Sequence, residues 1–248
     1  MGSKWIEGRV VDQHHWTDRL YSIRVNAAVE PFRAGQFGRL ALEIGGELVG
    51  RPYSFVNAPH ETPHEFYYIH LDNGPLTSRL VSLVSGDRIF VAPRAAGFLT
   101  LTEVPDAEDL WLLSTGTALG PFLSILKTED AWQRFGRVVL VHAVQEAAEL
   151  AYLEATHALR AAHPGQLTFV PFVSREDTDF AIRGRIPDAI QDGRLEASTG
   201  IGIQADRSQV MLCGNPAMVS DTLAVLERRG LRRHKRKLPG HLHVESYW

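Results

Sequence analysis

Cysteine is nearly absent from this 248-residue chain, and Cys213 stands alone. One thiol excludes an internal disulfide framework, a Cys-ligated iron–sulfur cluster and a Cys-rich zinc site, each of which needs several. No apolar run approaches the ~20 residues of a membrane span. The opening MGSKWIEGRV lacks the apolar stretch of a signal peptide, and Ile6 stands where a myristoylation signal requires Ser or Thr. H-E-x-x-H and G-x-S-x-G are missing, as are internal repeats and low-complexity linkers. These absences set the expectation of a soluble, cytoplasmic protein. What is present is a globular composition, 44% hydrophobic and 22% charged, which suits a full core and either one large domain or two of ordinary size.

The net charge of −3 conceals an asymmetry. From Leu226 onward, Arg228, Arg229, Arg232, Arg233, Lys235, Arg236 and Lys237 face only Glu227 and Glu245, which leaves 19 basic and 27 acidic residues elsewhere. Such a run reads as a solvated face or as a docking patch for an acidic partner. Nucleic acid is the weaker third reading, because no aromatic is interleaved in the run to stack on bases.

The first hundred residues alternate as strands do. IEGRVV, LYSIRV, GRLALEI, YSFVNA, EFYYIHL and DRIFVA are short, β-branched and aromatic, and are separated by Gly, Pro, Asn or Asp. Six strands at this spacing predict a small antiparallel barrel. One helix is expected within GPLTSRLVSLVSGD, with Leu76, Leu80, Leu83 and Val84 on one face and Gly86 as its stop. After a boundary near residues 100–108, apolar runs (LWLLS, VVLVHA, LTFVPFV, QVMLC, HLHVESY) alternate with helical stretches. That pattern predicts a five-stranded parallel sheet covered on both faces. The expected domains are residues 1–102 and 103–248, packed closely.

Several stretches offer chemistry. RPYSF has a guanidinium for a diphosphate, a flat ring and a hydroxyl, though it also reads as an ordinary strand with Arg51 at its mouth. NGPLTSRL turns directly into a helix, either as a simple capped start or as an anion site. In LWLLSTGTALGP a buried strand ends in glycine-bearing turns, where a parallel sheet binds nucleotides beyond its strand ends. VMLCGNPAMV repeats that layout, with Cys213 either a buried small residue or a group facing the crevice. VSRED and RGRIP place arginines past the third parallel strand, able to hold a phosphate or merely solvated. GIGIQA neither follows a clear strand nor opens a clear helix, and His241 with His243 lacks a third metal ligand.

Taken in order, RPYSFVNAP, GPLTSRL, GTALGPFLSIL, VSRE, GRIP, VMLCGNPAMV and VESYW resemble ferredoxin (flavodoxin)–NADP reductases of the compact bacterial type, from about Trp5 to Trp248. The resemblance implies an FAD-binding barrel followed by an NADP(H)-binding domain. It puts Arg51 on the FAD pyrophosphate within the Arg51-Pro52-Tyr53-Ser54 motif, Tyr53 on one flavin face and Ser54 near N5. Tyr67, Tyr68, Ile69 and His70 would line the cofactor, Pro75, Leu76 and Thr77 receive its phosphate, and Thr117 contact it from the second domain. Tyr247 would cover the other flavin face and Trp248 the adenine of a bent FAD, which accounts for an aromatic pair at this place in the chain.

On the NADP side the resemblance implies Gly116, Val144, Gln145, Ser174, Arg175, Arg185, Cys213 and Gly214, with Cys213 beside the nicotinamide. It makes Ser54, Cys213, Glu245 and Tyr247 the catalytic set. Gln145 stands where the bacterial type often has an arginine for the 2′-phosphate, so a neutral contact replaces a charged one worth ~1.5–3 kcal/mol. Electrons would pass from NADPH through the flavin to an acidic ferredoxin or flavodoxin docked near residues 228–237, on a monomer. Two rivals are a reductase component serving an oxygenase, favoured by preference for NADH, and a flavin-free protein using its basic stretch on nucleic acid.

Overall fold

The computed structural model describes residues 4–246. Its first half holds β1 (Ile6–His15), β2 (Leu20–Asn26), β3 (Phe37–Ile44), β4 (Glu47–Ser54), β5 (His64–Ile69), the short helix α1 (Thr77–Leu80) and β6 (Arg88–Val91). The strands pair antiparallel in the order β4-β3-β6-β1-β2-β5. A bridge between Phe55 and Phe66, with Val56 N–H donating to Glu65 O at 2.9 Å, brings the two outer strands together and closes the barrel. Alternate residues point inward, so Ile23, Val25, Leu40, Phe55, Phe66, Ile89 and Val91 fill the interior without solvent exposure.

Two details depart from the sequence expectation. The strand carrying RPYSF begins at Glu47, across the turn of Gly45 (φ 61) and Gly46 (φ 84), so the motif occupies the strand's end, not its start. The helix expected through Gly86 stops at Leu80. Leu76 and Leu80 are buried as the spacing required, but Val84 is exposed because Asp87 Oδ2 accepts its N–H at 2.8 Å and turns the chain early.

The second half supplies β7 (Asp109–Thr115), α2 (Leu119–Leu126), α3 (Glu129–Arg134), β8 (Arg137–Val144), α4 (Leu153–Ala162), β9 (Leu167–Val173), β10 (Ile182–Arg183), α5 (Ile186–Gln191), α6 (Arg194–Thr199), β11 (Ser208–Gly214), α7 (Pro216–Arg228) and β12 (Leu242–Ser246). The sheet order is β10-β9-β8-β7-β11-β12, all parallel. The five expected strands are present, and the two-residue β10 adds a sixth at the edge. In β7, Leu110 and Leu112 face one core while Trp111 and Leu113 face the other, and all four are fully buried. That is the signature of a sheet covered on both sides. None of the helices among the described residues is long and apolar enough to cross a membrane.

The two sheets share one core. Val56 and Tyr67 of the barrel pack with Phe122 and Leu123 of α2. Ser124 Oγ donates to Asn57 O at 2.7 Å, and Tyr152 Oη donates to Glu65 Oε1 at 2.6 Å across the same junction. Gly120 faces the same junction, with the Val56 side chain in ordinary contact distance of where a Cβ would lie.

Candidate functional site

A cavity of about 590 Å³ lies where the barrel mouth meets the strand ends of the second half. The end of β4 supplies Arg51, Pro52, Tyr53 and Ser54, and the end of β5 supplies Tyr67, Tyr68 and Ile69. Pro75, Leu76 and Thr77 enter from the start of α1. Thr117 arrives from the turn after β7, and Glu245 from β12. Residues separated by nearly the whole chain therefore share one wall.

The lining is predominantly aromatic and aliphatic. Tyr53 meets Tyr68 edge-on at 6.1 Å, and burial pushes its phenol up to about 12. The Tyr67 hydroxyl is buried with no hydrogen-bond partner among the described residues. An uncompensated buried hydroxyl costs free energy, and an acceptor on a bound molecule would relieve it. Tyr68 is differently placed, because its hydroxyl donates to Gln13 Oε1. Thr77 Oγ1 donates to Leu71 O at 3.3 Å and accepts from Leu71 N–H at 3.2 Å, so it holds the loop before α1 and does not cap the helix.

Glu245 is the acidic residue of the cavity wall, and burial raises its carboxyl from 4.5 to about 7. It lies in register with Cys213 on the neighbouring strand. Cys213 is fully buried in β11, in the core shared by the two halves, and does not reach the cavity wall. His70 also stands outside the wall, edge-on to Tyr21 at 6.5 Å. Tyr247 and Trp248 lie outside the described residues.

The second set of expected residues gathers beyond the carboxyl ends of β7, β8, β9 and β11. Gly116 (φ 54) directly follows β7 and Gly214 (φ 137) is the last residue of the adjacent β11, both at positive φ. A Cβ on Gly214 would stand 2.1 Å from Thr115 Oγ1, and that hydroxyl accepts the Asn215 N–H at 2.9 Å. Ser174 Oγ donates to Val144 O at 3.2 Å, and Arg175 N–H donates to Gln145 O at 2.9 Å. Gln145, Arg175 and Arg185 are exposed, with Arg185 set just after the bond from Gly184 N–H to Val173 O.

Sequence reading missed three features here. Glu149 accepts the Gln145 N–H at 2.8 Å, and Glu176 accepts the N–H of Ala147, so two carboxylates tie down the turn after β8. His142 is wholly buried on β8, with Nε2 3.1 Å from Gly116 O. Burial lowers it to about 4, so the ring is neutral and its Nε2–H donates to that carbonyl, steadying the turn before Thr117. Phe37, Leu71, Gly74 and Ser246 complete the cavity wall. Leu71, Gly74 and Ser246 lie in stretches the sequence singles out for their neighbours, whereas Phe37 lies outside all of them and only the tertiary fold brings it there.

Elsewhere, His243 bonds Gln209 Oε1 at 3.0 Å and packs on His234 at 4.3 Å. Among the described residues no three His, Cys, Asp or Glu side chains converge on a metal position. Within the basic stretch, Arg229 turns inward onto Glu196 at 2.6 Å, while Arg232, Arg233, Lys235, Arg236 and Lys237 remain exposed.

A barrel cleft beside a crevice at the ends of a parallel sheet defines a two-domain, dinucleotide-dependent oxidoreductase. Residues 112–223 match the family model of the oxidoreductase NAD-binding domain. The chain is 47% identical to a flavodoxin/ferredoxin–NADP reductase of Shigella flexneri and 46% identical to one of Escherichia coli, covering 98% of this chain and 99% of each relative. A crystal structure of a ferredoxin NADP+ reductase from Neisseria gonorrhoeae with bound FAD and NADP superposes with a TM-score of 0.94 at 30% identity over the whole of both chains. The chain belongs to the flavodoxin/ferredoxin–NADP reductase family.

Proposed function

We propose that this protein is an FAD-containing reductase that moves electrons between NADP(H) and a flavodoxin or ferredoxin. The observation that carries the reading is the aromatic-lined cavity where Arg51, Tyr53, Ser54, Tyr67, Thr77 and Thr117 meet beside the strand-end crevice. FAD fits this set. The buried Tyr67 hydroxyl has no hydrogen-bond partner among the described residues, and an acceptor on the bound cofactor would satisfy it. Bound there, FAD supplies the exchange between the electron pair of NADP(H) and the single electrons of the carrier.

The chain's residues then have distinct tasks. Arg51 would hold the pyrophosphate, Pro75, Leu76 and Thr77 would shape the phosphate end, and Tyr53 would face the flavin ring. Tyr67, Tyr68 and Ile69 pack along the cofactor and exclude water. His70 supports that strand from outside the wall. Ser54 offers a hydroxyl at the reacting edge, and Glu245, titrating near neutrality, holds or releases a proton at its carboxyl. Cys213, through its register with Glu245, shapes the nicotinamide end.

Gly116, Val144 and Gly214 form the floor for NADP(H), while Ser174, Arg175, Arg185 and Gln145 take its 2′-phosphate. Residues 1–102 make the FAD domain and 103–248 the NADP(H) domain, in a monomer of the cytoplasm. The acidic carrier docks near residues 228–237, where opposite charge speeds encounter, so its reduction slows steeply with salt. The test is the visible spectrum of the pure protein under argon, titrated separately with NADPH and NADH. A yellow protein bleached by NADPH at much lower concentration than by NADH is expected. A colourless protein that neither dinucleotide changes refutes the proposal.

A further inference from the structure

β8 carries a polar side chain among apolar ones. Val138 and Leu140 belong to the core that the two halves share, and His142 follows them on the same side of the strand, wholly buried. An aliphatic side chain would fill this place without losing any hydration. The imidazole does lose it: Nδ1 has no partner among the described residues, and an unsatisfied buried nitrogen is destabilising. The hydroxyl in register with it brings no relief, because Ser114 Oγ donates to Val141 O at 2.7 Å. Stability alone does not account for a histidine here.

What the ring offers is the bond from Nε2 to Gly116 O at 3.1 Å. That carbonyl already accepts the Leu119 N–H within the turn of Gly116–Ala118, so the histidine is not needed to satisfy it. The second bond fixes direction instead, since both lone pairs of the oxygen are then engaged. Little else steadies the turn from outside. Beyond its chain neighbours, no atom of the described residues lies within 4 Å of where a Cβ on Gly116 would stand, so the backbone there faces open space. The peptide that His142 holds continues into Thr117, a residue of the cavity wall. One residue earlier, Thr115 Oγ1 accepts the Asn215 N–H at 2.9 Å and ties the same turn to the end of β11.

We propose that His142 is a positioning residue for hydride transfer, its Nε2–H fixing the Gly116–Thr117 peptide at which the cavity and the strand-end crevice meet. This rests on the reductase reading above. The turn lies between the expected flavin cavity and the floor for NADP(H), so a tilt of its peptide shifts the two reacting rings relative to each other. Alignment of that kind governs transfer within the bound complex and leaves affinity little changed. Imidazole suits the task because its ring is rigid and, when neutral, carries its proton on the nitrogen that faces the carbonyl.

The experiment compares wild type, His142→Phe and His142→Gln, each as holoprotein. Phe keeps a flat ring without a donor, and Gln can bring an amide N–H to the place of Nε2. Bleaching by saturating NADPH is followed by stopped flow under argon, with turnover measured on ferricyanide as the small acceptor. Spectral titration gives the affinity for NADP+, and urea unfolding gives stability. In His142→Phe the bleaching rate should fall roughly ten- to a hundred-fold, and ferricyanide turnover with it. Affinity for NADP+ should hold, and the urea midpoint should equal or exceed that of wild type. His142→Gln should recover most of the rate. Nitrogen NMR of the wild type, which needs no variant, should find the His142 proton on Nε2 at neutral pH. Wild-type bleaching in His142→Phe, a His142→Gln as slow as His142→Phe, or a proton on Nδ1 each overturns the inference. So does a lowered urea midpoint in His142→Phe, which would make the role structural. A wild type that NADPH does not bleach overturns the reductase reading instead, so the two failures are distinguishable.

Discussion

Replacing Glu245 by Gln keeps the size of the side chain and removes its titration. Burial raises the carboxyl from 4.5 to about 7, so the folded protein holds this proton more tightly than the unfolded chain does. The stabilisation from carrying the neutral acid is complete below pH 4.5. It declines as pH rises and is lost above about 7. At about 1.4 kcal/mol per pH unit, this one group costs wild type about 3 kcal/mol of stability between those limits. Gln carries no such slope. Urea unfolding of FAD-saturated wild type and Glu245→Gln from pH 4.5 to 8 should therefore show the variant gaining about 3 kcal/mol on wild type. The ferricyanide rate should inflect near pH 7 in wild type and lose that inflection in the variant. Parallel stability curves across this range would refute the reasoning, since they would mean that Glu245 titrates alike folded and unfolded.

Three further outcomes follow from other parts of the molecule. Asp109 is fully buried and bonded by Arg137 at 2.6 and 3.0 Å and by Arg207 at 3.1 Å. Asp109→Ala should thus cost about 3–5 kcal/mol in urea unfolding while KM for NADPH holds. Gly214→Ala drives a methyl into Thr115 Oγ1 at a positive φ, so calorimetry should find much weaker NADP+ binding with flavin content near wild type. Gln145→Arg restores a charged contact beside Arg175, and Kd for NADP+ should fall roughly ten-fold or more while that for NAD+ changes little.

Local pattern made the strands and both turn motifs legible. Alternation in GRLALEI and continuous apolarity in LWLLS reflect one-sided and two-sided burial, which are properties of the residues themselves. Failures arose where a distant partner decides the outcome. ELVG hides a strand because Gly50 lies under Trp5, a Cβ there meeting the ring at 2.4 Å. Helix propensity in SRLVSLVS yields to the Asp87 side chain. Most of the cavity wall was readable from RPYSF, the YYI strand and PLT. Phe37 was not, since it is an ordinary strand residue until the two halves meet. His142 gave no signal either, because its role depends on a carbonyl of the neighbouring strand's turn.

The order of the cavity's walls along the chain has a consequence for its making. Every barrel contribution is in place by Thr77, whereas Glu245 and Ser246 come from β12, the last strand of the described residues. At ribosomal rates of about 5–20 residues per second, on the order of ten seconds or more separates the two. The cavity is therefore walled on its last side only once β12 has been made and paired beside β11, so a chain cut short before that strand has the aromatic mouth without its carboxylate.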